Sequence, residues 1–270
     1  MAHRTSCLPA CAQPERKVAD RLPEPSQPRA TPHAGRSLAS RRSFLFGAGA
    51  ALASAALPLR RAAAESPVAC ALVLAVDVSS SIDGEHWWLQ RKGYAEAFLH
   101  PEVMRAITDT ARGKIAVTYF EWAGANNQRT IVPWTIVASE EDGGAIADTL
   151  LNGRRPFEGS TGIGAALDVA MAQLVACPFT ADQKVIDVSG DGANNDGPPP
   201  ELKRDDVSRA NVRVNGLPIN WARSHPPAGM SIDDYYRGSV IGGPNAFCMP
   251  ATGFDTFGYA LAAKLRREIT

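Results

Sequence analysis

Residues 70–78 read CALVLAVDV, and three serines, residues 79–81, follow directly. A continuous apolar run of this length, rich in Val and Leu, is typical of a strand that is buried on both faces of a parallel sheet. The run ends in Asp77-Val78, so a carboxylate is expected at the carboxyl end of a central strand. In open α/β sheets, ligands bind at that edge.

Apolar and turn patterns elsewhere in the chain predict that strands and helices alternate. Strands are predicted at 114–123, 129–137, 184–189, 212–219 and 245–249, and helices at 83–99, from 101, and at 140–151, 162–176, 200–210, 231–240 and 254–268. A short polar turn, 124–128, joins two of the strands into a hairpin. We therefore predict an α/β fold, with a doubly wound, mostly parallel six-stranded sheet, one antiparallel edge strand and helices on both faces.

The first 64 residues are predicted to be a leader outside the fold. Residues 1–40 are rich in Pro, Arg, Ser and Ala and show no apolar periodicity. Arg41 and Arg42 stand in the sequence SRRSFL, which resembles a twin-arginine export signal. The apolar run 44–59 suits a signal peptide and is short for a membrane span. An ordinary secretory signal or a membrane anchor is the alternative. The remaining residues, 65–270, form the predicted domain.

The zero net charge of the whole chain is the sum of two opposite parts. Residues 1–64 contain ten Lys and Arg against three Asp and Glu, and residues 65–270 contain 18 against 25. An acidic domain is not expected to attract nucleic acid or anionic lipid. We expect a bacterial periplasmic or secreted protein with no stable membrane insertion after the signal is cleaved.

Asp77, Ser79 and Ser81 are spaced so that an extended chain places their oxygens on one side. A carboxylate with two hydroxyls is a hard-oxygen set, which suits Mg²⁺ or Mn²⁺ and not zinc. The alternative is that these residues cap the helix after Asp83. Two later loops favour the metal: Thr161 precedes the helix 162–176, and Asp191 follows the strand 184–189.

This order of residues resembles the von Willebrand factor A-type superfamily and its metal-ion-dependent adhesion site. That site reads D-x-S-x-S, then a Thr before a G-x-A-L-type helix, then Asp-Gly after a strand. The resemblance covers about residues 68–269 and implies that the metal is held by Asp77, Ser79, Ser81, Thr161 and Asp191. It also implies one open coordination position, which an Asp or Glu of a partner protein completes. Finer features resemble a bacterial, exported branch of unknown function.

Several polar residues flank the predicted metal face. Asn194, Asn195 and Asp196 follow Asp191 and either contact the partner or only form a turn. Glu121 ends a predicted strand at the same edge of the sheet, where a position next to the metal ligands is one interpretation.

Cysteine use allows one disulfide in an oxidising compartment. Cys70 opens the first strand, and Cys177 precedes the strand 184–189. In the sheet order that the resemblance implies, these strands are parallel neighbours. We predict a Cys70–Cys177 disulfide, with reduced thiols as the alternative. Cys248 is then expected to be buried in its strand.

The function predicted from these features is that of an exported, non-catalytic, metal-dependent protein-binding module. The chain has no H-E-x-x-H or G-x-S-x-G motif. A metal-dependent hydrolase is the first alternative, and it would need a general base, for which Glu121 and Asp196 are the candidates. A structural or maturation factor is the second.

Overall fold

The computed structural model of the protein describes residues 66–270. The predicted leader, 1–64, with Arg41 and Arg42, lies outside these residues. Within them the strands are β1 (Val68–Asp77), β2 (Ile115–Trp122), β3 (Gln128–Val137), β4 (Ala181–Gly190) and β5 (Arg213–Pro218). The helices are α1 (Gly84–Leu99), α2 (Pro101–Thr108), α3 (Glu140–Leu151), α4 (Ile163–Val175), α5 (Pro200–Arg209), α6 (Ile232–Tyr235) and α7 (Phe257–Ile269). A π-helical segment, Tyr236–Val240, continues α6.

The strands form one sheet in the order β3-β2-β1-β4-β5. β1 lies in the centre and pairs in parallel with β2 and β4, and β5 pairs in parallel with β4. β3 is the antiparallel edge strand, because the hairpin predicted from the turn 124–128 forms. The predicted α/β class and mixed sheet are confirmed.

β1 is buried on both faces, as its continuous apolar run predicts. Leu72 and Leu74 pack into a core formed with α1, α2, α3 and α7. Val73 and Ala75 pack into a second core formed with α4, α5 and the segment around Tyr236. We call these the α1/α7 face and the α4/α5 face of the sheet. Successive side chains of a strand alternate between the two faces, and this alternation fixes the site described below.

The predicted sixth strand at 245–249 is wrong, and the sheet has five strands. The segment makes single bridges to β5, for example Gly216 with Cys248. A continuous ladder is blocked because Pro244 and Pro250 flank the segment and Asn245 has a left-handed backbone, with φ 57°. The Asn215 side chain accepts a hydrogen bond from the Phe247 N–H (3.1 Å).

The predicted disulfide is also wrong: Cys70 and Cys177 are free thiols. Cys70 lies on the α1/α7 face of β1, in register with Gln183 of β4. Cys177 packs against the core on the α4/α5 face. The sheet therefore separates two thiols that the chain order brings to the same edge. Among residues 66–270, no helix has the length and apolar content needed to cross a membrane.

Candidate metal centre

The loop after β1 gathers the first predicted ligands. Asp77 is fully buried, and its Oδ1 accepts a hydrogen bond from the Ser79 N–H (2.7 Å). The Oγ atoms of Ser79 and Ser81 lie 3.1 Å apart. The loop is not a helix cap, because Asp83 itself caps α1 by accepting from the His86 N–H (3.0 Å). Asp77, Ser79 and Ser81 therefore remain available for another role.

Arg155 fixes the shape of this loop. Its guanidinium donates hydrogen bonds to the backbone carbonyls of Val78 (2.7 Å), Ser79 (3.1 Å) and Ile82 (2.7 Å). One mostly buried side chain thus bonds three carbonyls of a tight loop, and of these only Ser79 O also accepts from a backbone N–H, that of Ile82 (3.0 Å). Nothing in the sequence around Arg155 indicated this role.

Asp191 and Thr161 meet the first loop at the carboxyl edge of the sheet. The Ser81 hydroxyl donates to Asp191 Oδ1 (2.6 Å), which joins two residues that lie 110 positions apart. Thr161 is nearly buried at the start of α4. Gly192, next to Asp191, lies close to Thr161: a Cβ atom at position 192 would be 3.5 Å from Thr161 Oγ1. The structure therefore brings the three predicted ligand loops together.

The residues after Asp191 connect loops. Asn194 Oδ1 accepts from the Gly164 N–H (3.1 Å) in the first turn of α4. Asn195 Oδ1 accepts from the Thr161 N–H (2.8 Å) and so positions a predicted ligand. Asp196 Oδ2 accepts from the Ala125 N–H (2.8 Å). These contacts give all three side chains a local structural role.

Glu121 does not lie beside the metal face, which corrects the prediction. It pairs in register with Val76, and its side chain points to the α1/α7 face, opposite to Asp77. The carboxylate is fully buried and accepts from Arg91 Nε (2.7 Å) and the Trp87 indole (3.0 Å). Glu121 is therefore the acid of a buried ion pair with Arg91.

The electrostatics of Asp77 and Asp191 suit a bound cation. Burial raises the pKa of Asp77 well above its ordinary value, and the neighbouring Asp191 carboxylate raises it further. Burial likewise raises the pKa of Asp191. Asp77 Oδ2 is buried without a hydrogen-bond partner. Two buried carboxylates whose hydrogen-bond donors are all neutral are costly unless a positive charge compensates them.

The donor set also fits a hard divalent cation. In residues 66–270 no three His, Cys, Asp or Glu side chains converge as metal ligands, so the site depends on hydroxyl oxygens. A cavity of about 200 Å³ opens beside two of the predicted ligands; it is lined by Ser80, Ser81, Gly159, Thr161, Asn195 and His225. A ligand entering this cavity reaches Ser81 and Thr161.

The loop after β5 contributes residues that the sequence analysis missed. The Trp221 indole donates to Asp191 Oδ2 (2.6 Å), and His225 lines the cavity. Arg223 reaches the Ser80 carbonyl (3.4 Å). One signal was present: β5 is parallel to its neighbour β4, so the loop after β5 must begin at the same edge as Asp191.

This fold, with three loops that converge at the carboxyl edge of the sheet, is similar to that of a solved von Willebrand factor type A protein. Residues 67–270 match the family described as "Protein of unknown function (DUF1194)", and the chain belongs to this family. A search of curated proteins found no match.

Solved proteins with a similar fold include the following three, and this chain matches only part of each. The pilus adhesin SpaC from Lactobacillus rhamnosus GG is 14% identical, with a TM-score of 0.55 over 76% of this chain and 31% of the adhesin. Proximal thread matrix protein 1 from the mussel byssus is 18% identical, with a TM-score of 0.52 over 74% of this chain and 48% of that one. A von Willebrand factor type A protein from Catenulispora acidiphila is 16% identical, with a TM-score of 0.52 over 75% and 42%. The chain thus spans less than half of each protein.

Proposed function

We propose that the protein is a metal-dependent binding module that coordinates an acidic residue of a partner protein through Mg²⁺ or Mn²⁺. Ser79, Ser81 and Thr161 would contact the metal directly, and Asp77 and Asp191 would act on it directly or through water. The observation that carries the proposal is the convergence of three neutral hydroxyls and two buried carboxylates, whose hydrogen-bond donors are all neutral, beside one open cavity.

The chemistry of this donor set favours binding of an outside carboxylate. A bound dication supplies positive charge at a position that solvent and a partner reach through the cavity. The three hydroxyl ligands neutralise none of that charge, because they carry no charge of their own. An Asp or Glu side chain of a partner is then the complementary ligand.

Two similar structures support this direction. Their names describe a pilus adhesin and a byssus matrix protein, and a further structure of the matrix protein has a zinc-occupied metal-ion-dependent adhesion site. That protein is 18% identical to this chain, with a TM-score of 0.50. For a hydrolase, the two general-base candidates are already engaged, Glu121 by Arg91 and Asp196 by the Ala125 N–H.

Calorimetric titration with Mg²⁺ and Mn²⁺ tests the metal site. The wild-type protein should bind one ion, and Asp77→Ala should abolish binding. Asp182→Asn is the matched control, because Asp182 is an aspartate at the opposite end of β4, where it pairs with Arg112 on the surface (2.8 Å). Equal binding by wild type and Asp77→Ala would refute the metal assignment. A pull-down from periplasmic extract with Mg²⁺ or with EDTA then identifies the partner.

We also propose that the chain is exported by the twin-arginine route to the periplasm or the cell exterior. The support is the SRRSFL sequence around Arg41 and Arg42, followed by the apolar run 44–59. Replacing both arginines by lysine should retain the protein in the cytoplasm, as followed by cell fractionation. Export of the double variant at the wild-type level would refute the route.

A further inference from the structure

Trp221 holds one of the two carboxylates of the proposed metal site. Its indole N–H donates to Asp191 Oδ2 at 2.6 Å, while the Ser81 hydroxyl donates to Oδ1 at 2.6 Å. Both oxygens of Asp191 therefore already accept short hydrogen bonds from protein groups. An indole nitrogen is a donor only, so Trp221 can hold this carboxylate but cannot bind a cation itself.

The surroundings of Trp221 keep the indole in this position. Its ring packs against the tilted ring of His86 in α1, with centroids 4.1 Å apart, and edge-to-face against Phe254 ahead of α7, at 5.2 Å. Its backbone N–H donates to Ser224 Oγ (2.9 Å), which closes the turn that carries it. The indole is thus held by α1, by the segment ahead of α7 and by its own loop.

We propose that Trp221 keeps the Asp191 carboxylate off the metal, so that the bound cation retains its affinity for the carboxylate of a partner. The inference rests on the proposed function. A carboxylate that binds a dication directly strengthens metal binding, because ligand charge sets affinity. It also neutralises part of the charge that would attract an outside carboxylate. The hydrogen bond from Trp221 to Oδ2 therefore lowers the affinity of the site for the metal and raises the affinity of the bound metal for a partner's carboxylate.

This role has a signature that a merely structural role lacks. Residues that only support metal ligands lower metal affinity when they are replaced, typically by about 10–100-fold. Loss of the Trp221 N–H should instead raise metal affinity and lower carboxylate affinity. The two affinities should change in opposite directions.

The experiment measures both affinities on the full chain. Mn²⁺ binding is followed by the electron paramagnetic resonance signal of free Mn²⁺, and acetate binding to the Mn²⁺-loaded protein by water-proton relaxation. The variants are Trp221→Phe and Trp221→benzothienylalanine, an analogue that keeps the ring shape but has sulfur in place of the N–H. Trp134→Phe is the matched control, because Trp134 lies on β3 and its indole also donates a hydrogen bond, to the carbonyl of Gln173 in α4 (3.1 Å).

Both Trp221 variants should bind Mn²⁺ about tenfold more tightly and acetate about tenfold more weakly, the size of one hydrogen bond to a charged group. Trp134→Phe should match wild type. Weaker or unchanged Mn²⁺ binding by the benzothienylalanine variant overturns the inference alone, even if Trp221→Phe fails to fold. Failure of the wild-type chain to bind Mn²⁺ overturns the proposed function, and this inference with it.

Discussion

The protein buries two kinds of carboxylate, and they differ in what compensates them. On the α1/α7 face, the carboxylate of Glu121 accepts hydrogen bonds from two nitrogens of Arg91 (2.7 and 3.1 Å). Elsewhere on the same face, one cation, Lys264 of α7, forms ion pairs with two acids, Asp187 and Glu268. At the carboxyl edge, Asp77 and Asp191 accept hydrogen bonds only from neutral donors.

The difference separates acids that pair with an Arg or Lys of the chain, the completed group, from acids that have no such partner, the incomplete group. Breaking a buried ion pair leaves one uncompensated charge, whereas an acid without a cation is in that state from the start. Removing the cation of the first kind should therefore cost stability in the chain as it stands. The second kind should cost stability until a cation binds, and that cost is the physical basis of the proposed metal site.

The largest effect is expected from Arg91→Met, which removes the cation of a completed pair. The variant leaves Glu121 charged and buried, and the free energy of unfolding should fall by about 3–5 kcal/mol. Urea unfolding at pH 7 measures it. The double variant Arg91→Met/Glu121→Leu is the control and should recover much of the loss, because it removes both charges. A loss below about 1 kcal/mol would place this pair with the weak surface pairs and remove the contrast.

Metal addition should act on the incomplete group alone. With Mg²⁺ at 100 times its dissociation constant, the free energy of unfolding of wild type should rise by about 2.7 kcal/mol. Asp77→Asn should lose this response and should be more stable than wild type in EDTA, because it removes a charge whose pKa burial raises. Thermal unfolding with and without Mg²⁺ measures both. An equal Mg²⁺ response in Asp77→Asn would contradict the comparison.

Sequence reasoning located the carboxyl edge but not the face of each side chain. The apolar run ending in Asp77 predicts a central strand, and parallel strands bring Asp191 to the same edge. Glu121 reaches that edge too, but its register with Val76 turns it to the opposite face. A shift of one residue changes the face, so chain order alone could not separate Glu121 from the ligands.

Residues that act across long loops were out of reach for a different physical reason. Arg155 contacts carbonyls more than 70 positions away, and Trp221 contacts Asp191 from a loop without regular structure. Hydrogen bonds of this kind leave no periodicity in the sequence, because they depend on how the loops pack. The fold class needed only local patterns, and it was predicted except for its sixth strand.

A smaller effect should come from pH, through the completed group. Burial, followed by the charge of Asp187, raises the pKa of Glu268 from 4.5 to about 7. Between these values the folded state retains a proton that the unfolded state has lost, so the free energy of unfolding falls as pH rises from about 4.5 to 7. The expected change is on the order of 2 kcal/mol.

Glu268→Gln isolates this contribution. Asp77 and Asp191 add a slope of the same sign without metal, and it cancels when wild type and variant are compared in EDTA. The stability difference between the two proteins should therefore depend on pH only through Glu268 and the groups around it, Asp187 and Lys264. Parallel curves between pH 4.5 and 7 would show that Lys264 keeps Glu268 ionised throughout.

The smallest effect tests whether the two faces of the sheet are separate. Cys70 lies on the α1/α7 face, where burial, with the charge of Glu268, raises its pKa to about 12. Cys177 packs on the opposite face, so no bond joins the two sulfurs. Dithiothreitol should change the free energy of unfolding by less than about 0.5 kcal/mol, as should Cys177→Ser. A loss of about 2–5 kcal/mol in reductant is the response of a protein with a disulfide, and thiol titration after unfolding without reductant would then count fewer free cysteines in residues 66–270 than the three in the structure.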